Sequence, residues 1–174
     1  MRPELDIVPL EYSDEEVIDA VKRELKERNF IVRVYAKMDL PKTSLNFYRK
    51  QYNADIILDV LRKLKGNIIG ITDKDIYSGS LSYVFSIAEF DGPAIVSIYR
   101  LNPRFYQEKP NFDLLIDRLV KEILYCIGII KGLKECSNPR CVMHKVMSVR
   151  DLDYKKKDFC DDCKIKNILE DTNL

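Results

Sequence analysis

At 174 residues the chain fits one domain with a small appended lobe, and its 46% apolar content is enough to bury a sizeable core. Its 29 Lys and Arg nearly cancel 28 Asp and Glu, and a net charge of +1 gives no reason to expect a nucleic-acid or membrane partner. Residues 1–6 lack the apolar run of a signal peptide and the longest apolar run, residues 123–130, is too short to cross a bilayer, so a cytoplasmic protein is expected.

Residues 5–10 read as a first strand. Ser13-Asp14-Glu15-Glu16 has the form of a capping box, with Ser13 as the cap of a helix whose buried stripe is Val17, Ala20, Val21 and Leu25. Residues 30–35 are β-branched and apolar, a second strand. Residues 41–44 read as a loop. Asn53 can cap a helix over residues 54–64 with Ile57, Leu58, Leu61 and Leu64 facing inward, ended by Gly66-Asn67. Residues 67–72 form a third strand, and 83–88 and 94–99 two more, split by the turn Asp91-Gly92-Pro93. Early strands alternating with helices, then an adjacent strand pair, predict an α/β fold with a mixed, mostly parallel sheet and packed helices.

Residues 102–110 read as a loop, and a long helix follows over residues 112–131, ended by Gly132. Phe112, Ile116, Leu119, Ile123 and Ile130 make one apolar stripe along it, and from Ile123 onward it is apolar almost all round, as a helix buried on several sides would be. Tyr83, Phe85 and Tyr99 alternate on predicted strands and read as sheet packing. Lys155, Lys156 and Lys157 form a short basic run; with Asp151, Asp153, Asp158, Asp161 and Asp162 around it, a solvated charged loop fits better than a nucleic-acid contact.

Past Gly132 come Cys136-x4-Cys141 and, after an 18-residue connector, Cys160-x2-Cys163. Two such pairs are what a closed tetrahedral zinc site needs, and inside a cell clustered cysteines favour metal; two disulfides are the alternative. One structural zinc held by Cys136, Cys141, Cys160 and Cys163 is expected.

The segment from Gly132 to His144, with Cys136-Ser137-Asn138-Pro139-Arg140-Cys141-Val142-Met143, then Asp153-x6-Cys160-x2-Cys163, resembles the C-terminal part of the archaemetzincins, small zinc metallopeptidases of archaea with vertebrate relatives. Arg49-Lys50-Gln51-Tyr52-Asn53-Ala54, Gly70-Ile71-Thr72-Asp73-Lys74-Asp75-Ile76-Tyr77 and Ser97-Ile98-Tyr99-Arg100-Leu101 are similar to other landmarks of that family, and the likeness spans about residues 40–163. It implies a metzincin-like core over residues 1–135, including a former active-site helix over 112–131, and a zinc-binding segment over 136–174.

The family motif reads H-E-x-x-H-x-x-G-x-x-H-C-x4-C-x-M. With Gly132 and Cys136 fixing the register, Tyr125 stands where that motif has its first histidine, Cys126 where it has the glutamate, Ile129 at the second histidine and Glu135 at the third. Two histidines at i and i+4 aim imidazoles from one helix face at one metal, a third completes an open site, and the glutamate takes the proton of the bound water. Ile129 has no lone pair, Tyr125 ligates only as phenolate, and Cys126 is rotated about 100° around the helix from Tyr125. Glu135 offers an oxygen but cannot hold zinc alone. The single histidine, His144, follows Met143 and matches no ligand position.

The resemblance therefore implies a pseudopeptidase: a monomer holding one structural zinc, with no catalytic residues, keeping a cleft where a peptide or protein partner can add to an edge strand. Tyr125 and Ile129 then fill the space of metal and water, Cys126 is a small core residue, and Met143 packs in the core. Two other readings stay open: a metallopeptidase or thiol-dependent hydrolase with an altered site, and a zinc-knuckle nucleic-acid binder.

Overall fold

The structure is a computed structural model and describes residues 3–164; the part of the expected C-terminal segment beyond 164 lies outside the described residues. The elements begin with β1 (Glu4–Pro9), α1 (Glu15–Glu27), β2 (Ile31–Val34), β3 (Leu45–Asn46), β4 (Gln51–Asn53), α2 (Ala54–Leu61) and β5 (Ile68–Thr72). There follow β6 (Ile76–Tyr77), β7 (Ser86–Ala88), β8 (Ala94–Ser97), α3 (Phe112–Ile130) and α4 (Val149–Tyr154). Five strands form one sheet in the order β2-β1-β5-β8-β7. β1 pairs parallel with β2 and β5, β5 pairs parallel with β8, and only β7 runs antiparallel, against β8. This is the expected mixed, mostly parallel sheet.

Period-two alternation assigns each face its helices. Leu5, Ile7, Ile69, Ile71, Ala94 and Val96 point to one face and share a core with α1 and α3. Val8, Ile68 and Ile95 point to the other, against Ile57, Leu58 and Leu61 of α2. Gly70 leaves room there: a Cβ would stand 2.8 Å from Leu10 Cδ1 and 2.9 Å from Leu61 Cδ1. Parallel strands covered on both faces explain why Ile68–Thr72 is buried at every residue.

Several local expectations need correction. The cap of α1 is Asp14, not Ser13; its carboxylate accepts from the Val17 N–H at 3.2 Å, and Asp is an equally good cap one residue later. Asn53 does cap α2, but that helix ends at Leu61, with turns leading to Gly66. Residues 41–44 hold a short 3₁₀ turn rather than plain loop, and β3, β4 and β6 form a small second sheet whose two- and three-residue strands leave no readable periodicity. β7 starts at Ser86, so Tyr83 lies before it, and Tyr99 lies beyond β8 and is exposed. Phe112 leaves the buried stripe of α3, at 39% exposure, because the first turn of that helix overhangs the core.

The second half of α3 is buried on several sides, as expected. Gly128 is the close-approach point: a Cβ there would stand 2.8 Å from Met143 Cε and 3.4 Å from Phe159 Cε1. Met143 is wholly buried, so making room means repacking the core around it. Gly128→Ala is therefore expected to destabilise by about 1–2 kcal/mol, overpacking outweighing the gain in helix propensity. Urea unfolding measures it, and a stabilised variant would show that Met143 does not pack on this face.

Candidate functional site

Gly132, in the left-handed region at φ 89°, turns the chain out of α3. The next residues carry Cys136 and Cys141, while the stretch after α4 brings back Cys160 and Cys163. The four Sγ atoms all lie within 4.8 Å of one another. Cys136 and Cys160 are 3.7 Å apart at sulfur. A tetrahedron with Zn–S bonds of about 2.3 Å has edges of about 3.8 Å, so that pair stands at the spacing a zinc ion imposes and all four sulfurs are close enough to share one ion. No disulfide joins any of them. Backbone N–H groups of Met143 and Cys160 point at Cys141 Sγ, at 3.4 and 3.3 Å, the outer-shell support a thiolate ligand takes. Four sulfur donors and no further position make a closed, structural type of site, and the donor set fits zinc.

The four positions that the sequence sets against the motif's histidines and glutamate, Tyr125, Cys126, Ile129 and Glu135, separate. Tyr125, Ile129 and Glu135 line one cavity of about 430 Å³. The Tyr125 hydroxyl donates to Glu135 Oε1 at 3.2 Å, and Glu135 also pairs with Lys145 Nζ at 3.3 Å. Burial, reinforced by the charge of Glu135, pushes the Tyr125 phenol well above its ordinary range, so the side chain is neutral. Cys126 does not line the cavity: it is fully buried beside Ser86, and burial pushes its thiol up to about 12. A thiol in that environment is inert. Among the described residues, one group of three or more His, Cys, Asp or Glu side chains is placed to hold a metal, and it is the cysteine quartet. His144 sits between the two regions, its Nδ1 2.8 Å from the carbonyl of Cys136.

Lys155 requires the largest correction. It is not part of a solvated loop: its side chain is completely buried. Its Nζ donates to the carbonyls of Val142 at 3.0 Å and His144 at 3.3 Å, reaches Glu122 Oε1 at 3.4 Å, and lies 5.1 Å from the Tyr125 ring centroid. Glu122, also buried, accepts from Ser86 Oγ at 2.6 Å. Glu122, Lys155 and Ser86 thus form a polar floor beneath the cavity that sequence reading missed. One signal was available: Glu122 lies one helical turn before Tyr125, on the same face of an otherwise apolar helix.

The cavity walls come from distant parts of the chain. β7 and residues 81–85 before it form one side, and residues 144–147 the other. The stretches around Arg49, Asp75 and Arg100 converge on the first side. Arg49 Nη2 donates to the carbonyls of Leu81 at 2.8 Å and Ser82 at 2.9 Å, and Gln51 bridges Asp75 and Ser82. Arg100 grips Asp75 with two bonds of 2.8 Å. These residues, separate in sequence, hold one rim.

A family model described as peptidase family M54 matches residues 6–168. The archaemetzincin of Methanocaldococcus jannaschii is 36% identical over 158 residues, covering 90% of this chain and 88% of the relative. That of Saccharolobus solfataricus is 33% identical over 163 residues, with the same coverage of 90% and 88%. Among solved structures, the archaemetzincin of Archaeoglobus fulgidus complexed with malonate superimposes with a TM-score of 0.84 at 35% identity, over 94% of this chain and 99% of that one. The Methanopyrus kandleri archaemetzincin gives 0.87 at 27% identity, over 99% and 97%.

Proposed function

The chain belongs to peptidase family M54, the archaemetzincins, and from that premise we propose that it is a pseudopeptidase: one structural zinc, no hydrolytic metal, and a cleft that binds a peptide or protein partner without cutting it. The observation that carries this reading is the donor set. The whole sequence contains one histidine, His144, and its ring is bonded to the Cys136 carbonyl. At the α3 positions a catalytic ion would require stand a neutral phenol, a buried thiol and an isoleucine. The zinc of the cysteine quartet, closed by four thiolates, would leave no water-bearing position and would serve the fold.

Three features support a surviving cleft. The cavity persists at about 430 Å³. Tyr125 donates to Glu135 across the cavity, so α3 and the segment after Gly132 stay joined. β7 is the outermost strand of its sheet, bonded only to β8 among the described residues, and its second edge can accept an added strand. The thiol-hydrolase alternative is disfavoured by the burial of Cys126, and a nucleic-acid role by the loss of Lys155 to the interior. Among the described residues no helix is long and apolar enough to cross a membrane.

Metal analysis of the purified protein should give one zinc per chain; two would overturn the reading, as would chelator-sensitive peptidase activity. Reversal makes the sharper test. Tyr125→His, Cys126→Glu, Ile129→His and Glu135→His together are expected to raise the content from one zinc to two, because positions 125 and 135 already meet in the cleft. A folded quadruple variant that still carries one zinc would mean the cleft no longer has the geometry of a metal site.

A further inference from the structure

Among the described residues a single hydrogen bond crosses between the two walls of the cleft, from the Tyr83 hydroxyl to the Met147 carbonyl at 3.0 Å. Tyr83 lies three residues before the first residue of β7, so the crossing bars the cleft on the side where that strand begins. The clasp is rigidly mounted. The Arg100 guanidinium lies 4.2 Å from the Tyr83 ring centroid, and Phe85 meets the same ring edge-on at 5.5 Å. Arg100 is fixed by Asp75, and Arg49 holds the carbonyls of Leu81 and Ser82 next to it.

An extended ligand adding to β7 meets this bar and stops there. Antiparallel pairing is the commoner and slightly stronger mode. In that mode the ligand runs opposite to β7 and its C-terminal end points towards Tyr83. A cation stands on the opposite wall: Lys145, two residues before Met147 and lining the same cavity, with its side chain 57% exposed. Its pairing with the half-exposed Glu135 is of the weak, solvated kind, which an incoming carboxylate can displace.

We infer that the cleft takes the free C-terminal end of a peptide, with Tyr83 as the specificity-determining residue that refuses internal segments and Lys145 as the partner of the terminal carboxylate. This rests on the peptide-binding function proposed above and adds which part of a peptide is bound.

The test uses the full zinc-loaded chain, immobilised, and three pools of random octapeptides on one carrier protein. One pool has a free C-terminus, one a free N-terminus, and one is held in a loop at both ends. The free-C-terminus pool should be retained about tenfold over the other two. Amidating peptides recovered from it should weaken their binding about tenfold, as should Lys145→Ala. Tyr83→Phe keeps the ring packing but removes the hydroxyl, and should raise retention of the loop pool by up to about tenfold. If the unaltered chain retains the loop or free-N-terminus pool as well as the first, the C-terminal assignment falls while peptide binding stands. If Tyr83→Phe changes nothing, Tyr83 is not the determinant. Retention of no pool at all sinks the peptide-binding function, and this inference with it.

Discussion

Cys160→Ser is expected to release the metal and unravel the chain from Cys136 to Cys163. Structural zinc supplies about 10–16 kcal/mol of apparent binding free energy in small modules, which equals or exceeds the stability of a whole domain. The segment has little else to hold it. Between α3 and the second cysteine pair its one described α-helix is α4, six residues long, and much of the rest is turn. Yet Cys141, Val142, Met143 and Leu152 from this segment are buried in the main core, against the apolar second half of α3. Loss of one thiolate should therefore do more than free a tail: it should expose that face of α3 and remove the wall at residues 144–147. Hydrogen exchange would show amides of residues 133–160 losing protection while β1, β5 and β8 keep theirs, and metal analysis would fall from one zinc to none. A Cys160→Ser protein that keeps its zinc and an unchanged exchange pattern would refute the quartet as the staple of this lobe.

The order of strands and helices was legible because each long element repeats its pattern several times. β5 is five buried residues in a row, and α3 keeps Ile116, Leu119, Ile123 and Ile130 on the core. The cysteine quartet was legible for a different reason: knuckle spacing is a local constraint, and only a few residues are needed to state it. What sequence reading missed is what three-dimensional closure creates. Lys155 sits in a run of three lysines among aspartates, and nothing local tells it from Lys156 or Lys157; it is buried because α4 delivers it to Glu122, 33 residues away. Tyr83 looked like a strand residue because it alternates with Phe85, but a strand of three residues is too short for its neighbours to betray where it begins. Arg49, Asp75 and Arg100 are unremarkable one by one, and their purpose appears only when they meet at the rim.

Lys155 also gives the second large expected effect. It links two parts of the protein that the metal does not join directly: α3, through Glu122, and the cysteine-rich segment, through the carbonyls of Val142 and His144. Lys155→Met removes the cation while leaving the Glu122 carboxylate buried, with Ser86 as its remaining hydrogen-bond donor. Stranding one member of a buried pair costs about 3–5 kcal/mol. Glu122→Leu alone should cost about as much, because the ammonium keeps two carbonyls but loses its counter-charge. The double variant should be far less damaged than the sum of the singles, since no unpaired charge remains and the space is filled by apolar side chains. Urea unfolding of the four proteins in excess zinc separates this pair from the metal site. A coupling of about 2 kcal/mol or more would mark Lys155–Glu122 as a second, metal-independent staple under the cleft. Additive single effects would instead mean that the two carbonyls, not Glu122, are what keep Lys155 inside.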